Sequence, residues 1–381
     1  MSRYLIKLIP GDTFFFSQEN KYRKKRNGNI ESDYYQRSAF FPQQTTVLGA
    51  LRYTLLQKEN QIPITDTGKA EGLIGKLSFR IQDNELKFGK IGKLSPVFIM
   101  NKSGKIYVKN PADLILDENK AKYLIKSDSF INSSIGDIPY FDNYQEKAGL
   151  SNFLYHSKKD FLPLEYDKNE APNGVFVPLE KIGITKNIRD KQGKRIDGKN
   201  SKAPEEGFYK QIFYRFNNNE YCFALYADID NDKLDGVKEY IVMGAERNPF
   251  IISFEKADDN NNLEQSIDFD SVNTPKIVLL SDAYIPDYNT GDFIFAISSN
   301  KTFRFLQTQV SDEKGYYSSD PLKKIKRARS DKFTLIEKGS VFYFSSDDTQ
   351  LQNFENKLKG ENNGKVKNFF NIGYNHYKTI K

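Results

Sequence analysis

Six aromatic-rich runs dominate the second half of the chain: "FYKQIFYRF", "EYCFALYADI", "YIVMGAERNPFIISFE", "PKIVLLSDAYI", "FIFAIS" and "GSVFYFSS". Each is short and built from β-branched and aromatic residues that suit a pleated surface. Few long helical patterns separate them, so the chain reads as an α+β protein in which sheets carry the architecture. The aromatic supply agrees, with 30 Phe, 23 Tyr and no Trp. A hydrophobic content of 38% is enough for packed cores and excludes a disordered chain. At 381 residues the chain exceeds the usual single-domain size and reads as two domains, without a solenoid period.

The first half opens with "SRYLIKLIP", a strand with Tyr4, Ile6 and Leu8 on one face and Leu5, Lys7 and Ile9 on the other. A basic loop, "KYRKKRNGN", follows "DTFFF". Residues 46–58 form the clearest helix, with Leu48, Leu51 and Leu55 at helical spacing and Val47 beside them. Thr45 or Thr46 is the expected N-cap. "GKLSFRIQ" and "SPVFIM" read as strands, and "IYVKNPADLIL" as a strand entering a Pro-Asp turn. Residues 119–174 show little periodicity. Residues 181–205 are rich in Lys, Arg, Gly and Asn with almost no apolar residues, so they form an exposed arm, hairpin or linker that cannot bury a core. Domains are expected at 1–205, ending in this arm, and at 206–381.

The charge balance, 57 basic against 50 acidic residues, suits nucleic acid without requiring it. One cysteine, Cys222, excludes an internal disulfide and suggests a reducing compartment. No stretch approaches membrane-spanning length, so a cytoplasmic protein without a membrane partner is expected. Chemistry is sparse. His156 and His376 stand in unrelated contexts, and no Cys/His cluster has zinc spacing. "DIDNDKLDGVKE" mimics a calcium loop at Asp228, Asp230, Asp232 and Glu239, but Lys233 occupies the position that needs Gly. No metal, cofactor or catalytic residue is therefore expected. The turn at Gly244 and Arg247 allows close approach of backbone to a phosphate. "PLKKIKRARSDK" is a further basic segment, equally readable as a solvated surface or a contact for RNA or protein.

Taken in order, "YLIKLIPGDTFFF", "DYYQRSAFFPQQTTVLGALRY", "LSPVFIMNKSGKIYVKNPADL", "MGAERNPF", "KGSVFYF" and "IGYNHY" resemble the family of third subunits of Cmr-type (type III-B) CRISPR interference complexes, within the RAMP superfamily. The resemblance spans nearly the whole chain. It implies two tandem ferredoxin-like (RRM-like) domains with insertions and an exposed basic arm. It also implies a non-catalytic, RNA-binding role in antiviral defence: holding the 5′ tag of the CRISPR RNA, and joining the large polymerase-like subunit to the backbone RAMP subunits, with target RNA met indirectly. The alternative within the superfamily is a metal-independent endoribonuclease that processes CRISPR repeat RNA with histidine assistance. A scaffold that touches only protein is a third reading.

Under the RNA-binding reading, the mouth of the first helix is the leading site. A helix N-terminus offers free N–H groups to phosphate, and Gln43, Gln44, Thr45 and Thr46 add neutral donors, flanked by Arg37 and Arg52. The competing reading is that the threonines cap the helix while the glutamines satisfy backbone groups of a neighbouring loop. Lys186, Arg189, Lys191, Lys194 and Arg195 of the arm are assigned to RNA clamping or to a neighbouring subunit. Gly244 and Arg247 are further RNA contacts.

Overall fold

The computed structural model describes residues 1–16, 21–22, 34–64, 66–75, 79–81, 83–117, 120–123, 126–133, 136–141, 153–157, 160–166, 174–186, 206–244, 246–258, 260–269, 274–304, 306–309, 326–345 and 348–381. Strands dominate, as the aromatic runs require. The first strand, β1 (Ser2–Pro10), lies near the middle of a nine-stranded sheet. In space the order is Asp160–Pro163, Phe153–Ser157, Ile106–Lys109, Phe98–Asn101, Tyr221–Ile229, β1, Asn248–Lys256 and Lys238–Met243, with Ile91–Leu94 also paired to Tyr221–Ile229. Neighbours of β1 are antiparallel to it on both sides.

Alternation along β1 divides two cores. Tyr4, Ile6 and Leu8 are fully buried in a cluster with Val47, Leu48, Leu51 and Leu55 of helix α1 (Gln44–Lys58) and with Leu73 of α2 (Thr67–Ile74). Leu5 packs toward the opposite side, where Phe98, Met100 and Tyr226 meet Val278, Val341 and Tyr343 of a second sheet. That sheet has the order Phe295–Ile297, Val341–Tyr343, Lys276–Leu279, Tyr377–Ile380, all antiparallel. Beyond the one-turn α3 (Leu263–Ser266), helices α4 (Asp348–Lys359) and α5 (Gly364–Asn371) follow late in the chain. Leu351, Phe354 and Leu358 of α4 cover the outer face of the second sheet through Ile277, Leu279 and Phe342. The result is a layered stack of helices, sheet, sheet and helix.

The Pro-Asp turn fastens these layers. Leu114 N–H donates to the Pro111 carbonyl at 3.1 Å, placing Asp113 in the interior with no exposed surface. There its Oδ2 accepts from Lys276 Nζ at 2.5 Å and from the Tyr343 hydroxyl at 2.6 Å. Burial pulls the Lys276 ammonium below the usual lysine range, and Asp113 opposes that shift.

Several expectations need correction. Helix α1 begins at Gln44, and its N-cap is Gln43, not Thr45 or Thr46. Phe79–Ile81 of "GKLSFRIQ" is not a strand: Gly75, at φ +79°, ends α2, and a side chain there would collide with the Lys87 carbonyl. Described parts of the patternless 119–174 region form hairpins, one of which extends the large sheet through Tyr155 opposite Val108. Most important, strands Phe176–Lys186 and Glu206–Phe216 pair over eleven residues from Phe176↔Phe216 to Lys186↔Glu206. The expected boundary at 205/206 thus falls inside a hairpin, and strands from beyond it flank β1. The basic segment connects two paired strands and is not an interdomain linker.

Candidate nucleic-acid interface

The mouth of α1 is polar because of what it holds together inside the protein. Gln44 is only 5% exposed. Its Nε2 donates to the Ser95 carbonyl at 3.0 Å and to the Gly373 carbonyl at 2.8 Å. Gly373, at φ +93°, has to be glycine, since a side chain there would overlap the Gln44 amide. The next residue, Tyr374, donates its hydroxyl to Gln43 Oε1 at 3.2 Å. Burial and the nearby Asp282 charge raise its pKa, so it remains a hydroxyl.

Backbone N–H groups of Thr46 and Val47 bond to the Gln43 carbonyl at 2.9 and 3.1 Å. The N–H groups of Thr46 and Val47 are therefore engaged within the protein. No side chain caps the helix, so the threonines do not have the capping role either. For Gln44, the reading in which the glutamine satisfies backbone groups of a neighbouring segment describes the geometry. Both expected flanking cations are also engaged. Arg37 pairs with Glu165, donates to the Tyr214 hydroxyl at 2.5 Å and lies 6.0 Å over the Phe40 ring. Arg52 sits 5.4 Å over Phe88.

A different surface offers donors to solvent. The hairpin formed by Phe176–Lys186 and Glu206–Phe216 continues into Tyr34–Arg37, which runs parallel to the second of these strands. Pairing places Val177 beside Arg215, Leu179 beside Phe213, and Lys181, Gln211 and Gln36 in one row, all on the same face. Lys181 is exposed and its ammonium lies 3.8 Å above the Phe213 ring, which also packs on Phe15 at 4.9 Å. Arg215 is exposed two residues along. Gln211 Nε2 reaches Gln36 Oε1 at 3.3 Å and Glu246 Oε1 at 3.4 Å. The second of these contacts brings the Gly244–Arg247 turn onto this face.

The turn owes its position to backbone geometry. Gly244 has φ +80°, and any side chain there would strike the Phe15 carbonyl. Asn248 Oδ1 accepts from the Phe15 N–H at 3.0 Å. Arg247, at φ +52°, is exposed on the rim. The structure thus joins two groups that were separate in the sequence reading, the root of the basic arm and the Gly244–Arg247 turn. Lys186 is described only through its backbone as the end of its strand. Arg189, Lys191, Lys194 and Arg195 lie outside the described residues. Lys181, Gln36, Gln211 and Arg215 were not singled out from the sequence. Period-two alternation in "FYKQIFYRF" carries the missing signal, since it sets Gln211, Phe213 and Arg215 on one face.

Both histidines are engaged by backbone or side-chain groups of the protein. His156 Nδ1 lies 2.5 Å from the Ile106 carbonyl. His376 stacks on Phe370 with ring centroids 4.4 Å apart, its Nδ1 2.7 Å from Glu264 Oε1 and its Nε2 3.1 Å from the Phe370 carbonyl. Burial works to raise the Glu264 carboxyl, but the His376 contact outweighs it and the net shift is downward. Three of the four acids of the calcium-like segment are individually engaged: Asp228 with Arg3 at 2.7 Å, Asp232 with the Ser2 hydroxyl at 2.5 Å, Glu239 with Lys58 at 2.5 Å. Among the described residues, no group of three or more His, Cys, Asp or Glu side chains is arranged to hold a metal. No helix among them is long and apolar enough to cross a membrane.

A family model described as CRISPR-associated protein (Cas_Cmr3) matches residues 6–381. No curated protein matches the chain. Among solved structures, it is similar to a chain in the cryo-EM structure of the type III-B Cmr-beta bound to cognate target RNA and AMPPnP. The identity there is 14%, covering 100% of this chain and 99% of the other, with a TM-score of 0.44. A chain of the Cmr-beta bound to cognate target RNA gives 14% identity over 98% and 96%, with a TM-score of 0.45.

Proposed function

The chain belongs to the Cas_Cmr3 family of CRISPR-associated proteins, and from that premise we propose that it is a non-catalytic RNA-binding subunit of a type III-B CRISPR effector complex. In this role it holds the 5′ tag of the CRISPR RNA and joins the large polymerase-like subunit to the backbone subunits. The two sheets, each with its own helices, are read as the ferredoxin-like units of such a subunit.

One observation carries the RNA reading: the solvent-facing row built from Lys181, Gln211, Arg215 and the Arg247 turn. Cations there lie beside an aromatic ring and amide donors, a composition that suits a single strand's phosphates, 2′-hydroxyls and bases. Glu246 is the acid that the Gln211 amide reaches there. The engaged state of both histidines favours this reading over the endoribonuclease. Incubating the protein with repeat-derived RNA tests the choice. Intact RNA is expected, and site-specific cleavage abolished by His156→Ala would overturn it.

A further inference from the structure

Beside the mouth of α1 lies a pocket whose polar groups the fold does not use up. Gln43, Gln44, Ser281, Asp282, Lys338 and Tyr374 contribute to its lining. Lys338 is half-buried there, and its ammonium lies 3.1 Å from the centroid of the Phe41 ring. Asp282 does not form an ion pair with it. That carboxylate is bound by the Lys301 ammonium through Oδ2 and by the Lys338 backbone N–H through Oδ1 at 3.0 Å.

Other groups of the pocket are half satisfied. Gln44 Oε1 is buried with no hydrogen-bond partner, although the amide nitrogen of the same side chain has two. Gln43 accepts through Oε1 from Tyr374, which leaves its NH₂ pointing to no described acceptor. Ser281 Oγ accepts from the His376 N–H at 2.9 Å and keeps its own proton to donate. Collected in one place are an ammonium, an amide NH₂, a hydroxyl and a single orphaned acceptor.

We infer that this pocket binds a phosphate group accompanied by a hydroxyl, either free hydrogen phosphate or a phosphodiester next to a ribose 2′-hydroxyl. Lys338, Gln43 and Ser281 donate to the phosphoryl oxygens, and the ligand's hydroxyl donates to Gln44 Oε1. The half-buried Lys338 ammonium contacts no anion among the described residues, and an oxyanion supplies a charge-assisted partner. The charges around Lys338 agree. Burial lowers its pKa to about 7; Asp282 opposes this, Lys301 and Lys109 reinforce it, and Glu337 opposes it weakly. A bound oxyanion reverses the shift, so binding takes up a proton near neutral pH. The pocket stands independently of the RNA-binding face, and inorganic phosphate tests it without any nucleic acid.

The test is calorimetric titration of the full chain with inorganic phosphate and with sulfate. Phosphate is expected to bind, and sulfate, lacking a hydroxyl for Gln44 Oε1, to bind more weakly. Lys338→Met is expected to weaken phosphate binding by at least roughly tenfold, with Lys338→Arg retaining most of it. Sulfate does not titrate near neutrality. A fall of about tenfold in its affinity between pH 6.5 and 8.5 therefore reports the Lys338 proton in the wild-type chain, whether or not the variants fold. Absence of phosphate binding at millimolar concentration, or sulfate affinity flat with pH, overturns the inference. Source is read by competition: tag RNA that displaces phosphate, where DNA of the same sequence does not, identifies the phosphodiester, and RNA that leaves phosphate bound identifies the free ion.

Discussion

Two polar regions of this protein are built from the same residue types and do opposite work. At the mouth of α1, Gln43 Oε1 and Gln44 Nε2 meet the Tyr374 hydroxyl and the carbonyls of Ser95 and Gly373, and these bonds tie distant parts of the chain together. On the hairpin face, Gln36, Gln211, Lys181 and Arg215 stand beside one another with both cations open to solvent. Glutamine chemistry does not separate the two. What separates them is whether backbone carbonyls from elsewhere in the chain arrive to take the amide protons. The mouth lies where the N-terminal helix meets the C-terminal Gly373-Tyr374 segment, so its donors become internal ties. Among the described residues, the hairpin has no such covering layer over Lys181 and Arg215.

Changes to the internal ties are expected to act on stability, and changes on the open face on binding. The largest effect is expected deepest inside. Asp113→Ala removes the carboxylate that the buried Lys276 ammonium and the Tyr343 hydroxyl bond to, and is expected to lower stability by about 3–5 kcal/mol, measured by denaturant unfolding. Pairing it with Lys276→Met should recover much of that loss. Gln44→Ala removes the donor from two interior carbonyls and is expected to cost roughly 2–4 kcal/mol by the same measurement. A change below half a kcal/mol would place the glutamine among surface residues and dissolve the comparison.

Gly244→Ala tests the support of the open face. The positive φ and the collision with the Phe15 carbonyl predict a loss of about 1–3 kcal/mol, with displacement of the Arg247 turn. At the small end, replacing Lys181, Arg215 and Arg247 together by Ala is expected to change stability by no more than about 0.5 kcal/mol, since all three are exposed and none carries a tertiary ion pair among the described residues.

Local pattern made the strands legible in the sequence. Alternation in "SRYLIKLIP" and the Leu48, Leu51, Leu55 spacing name the faces that the structure buries. Helix α4 was hidden because its apolar positions, Leu351, Phe354 and Leu358, are few and sit among polar residues. The domain boundary was misplaced because pairing of Lys186 with Glu206 is a long-range event across a segment with no apolar pattern. The site was half legible. Gly244 and Arg247 were visible through turn chemistry, but the Gln44 ties to Ser95 and Gly373 span 51 and 329 positions of sequence. No local signal distinguishes a glutamine that will meet such partners from one that will meet RNA.

We propose that the tag strand is held on the hairpin face, and the salt dependence of tag RNA binding by the assembled complex tests this directly. With Lys181, Arg215 and Arg247 replaced together by Ala, affinity should fall and the slope of log affinity against log salt should become shallower by about two, near 0.7 for each lost phosphate contact. Unchanged affinity and an unchanged slope in a folded, assembled variant would contradict the claim.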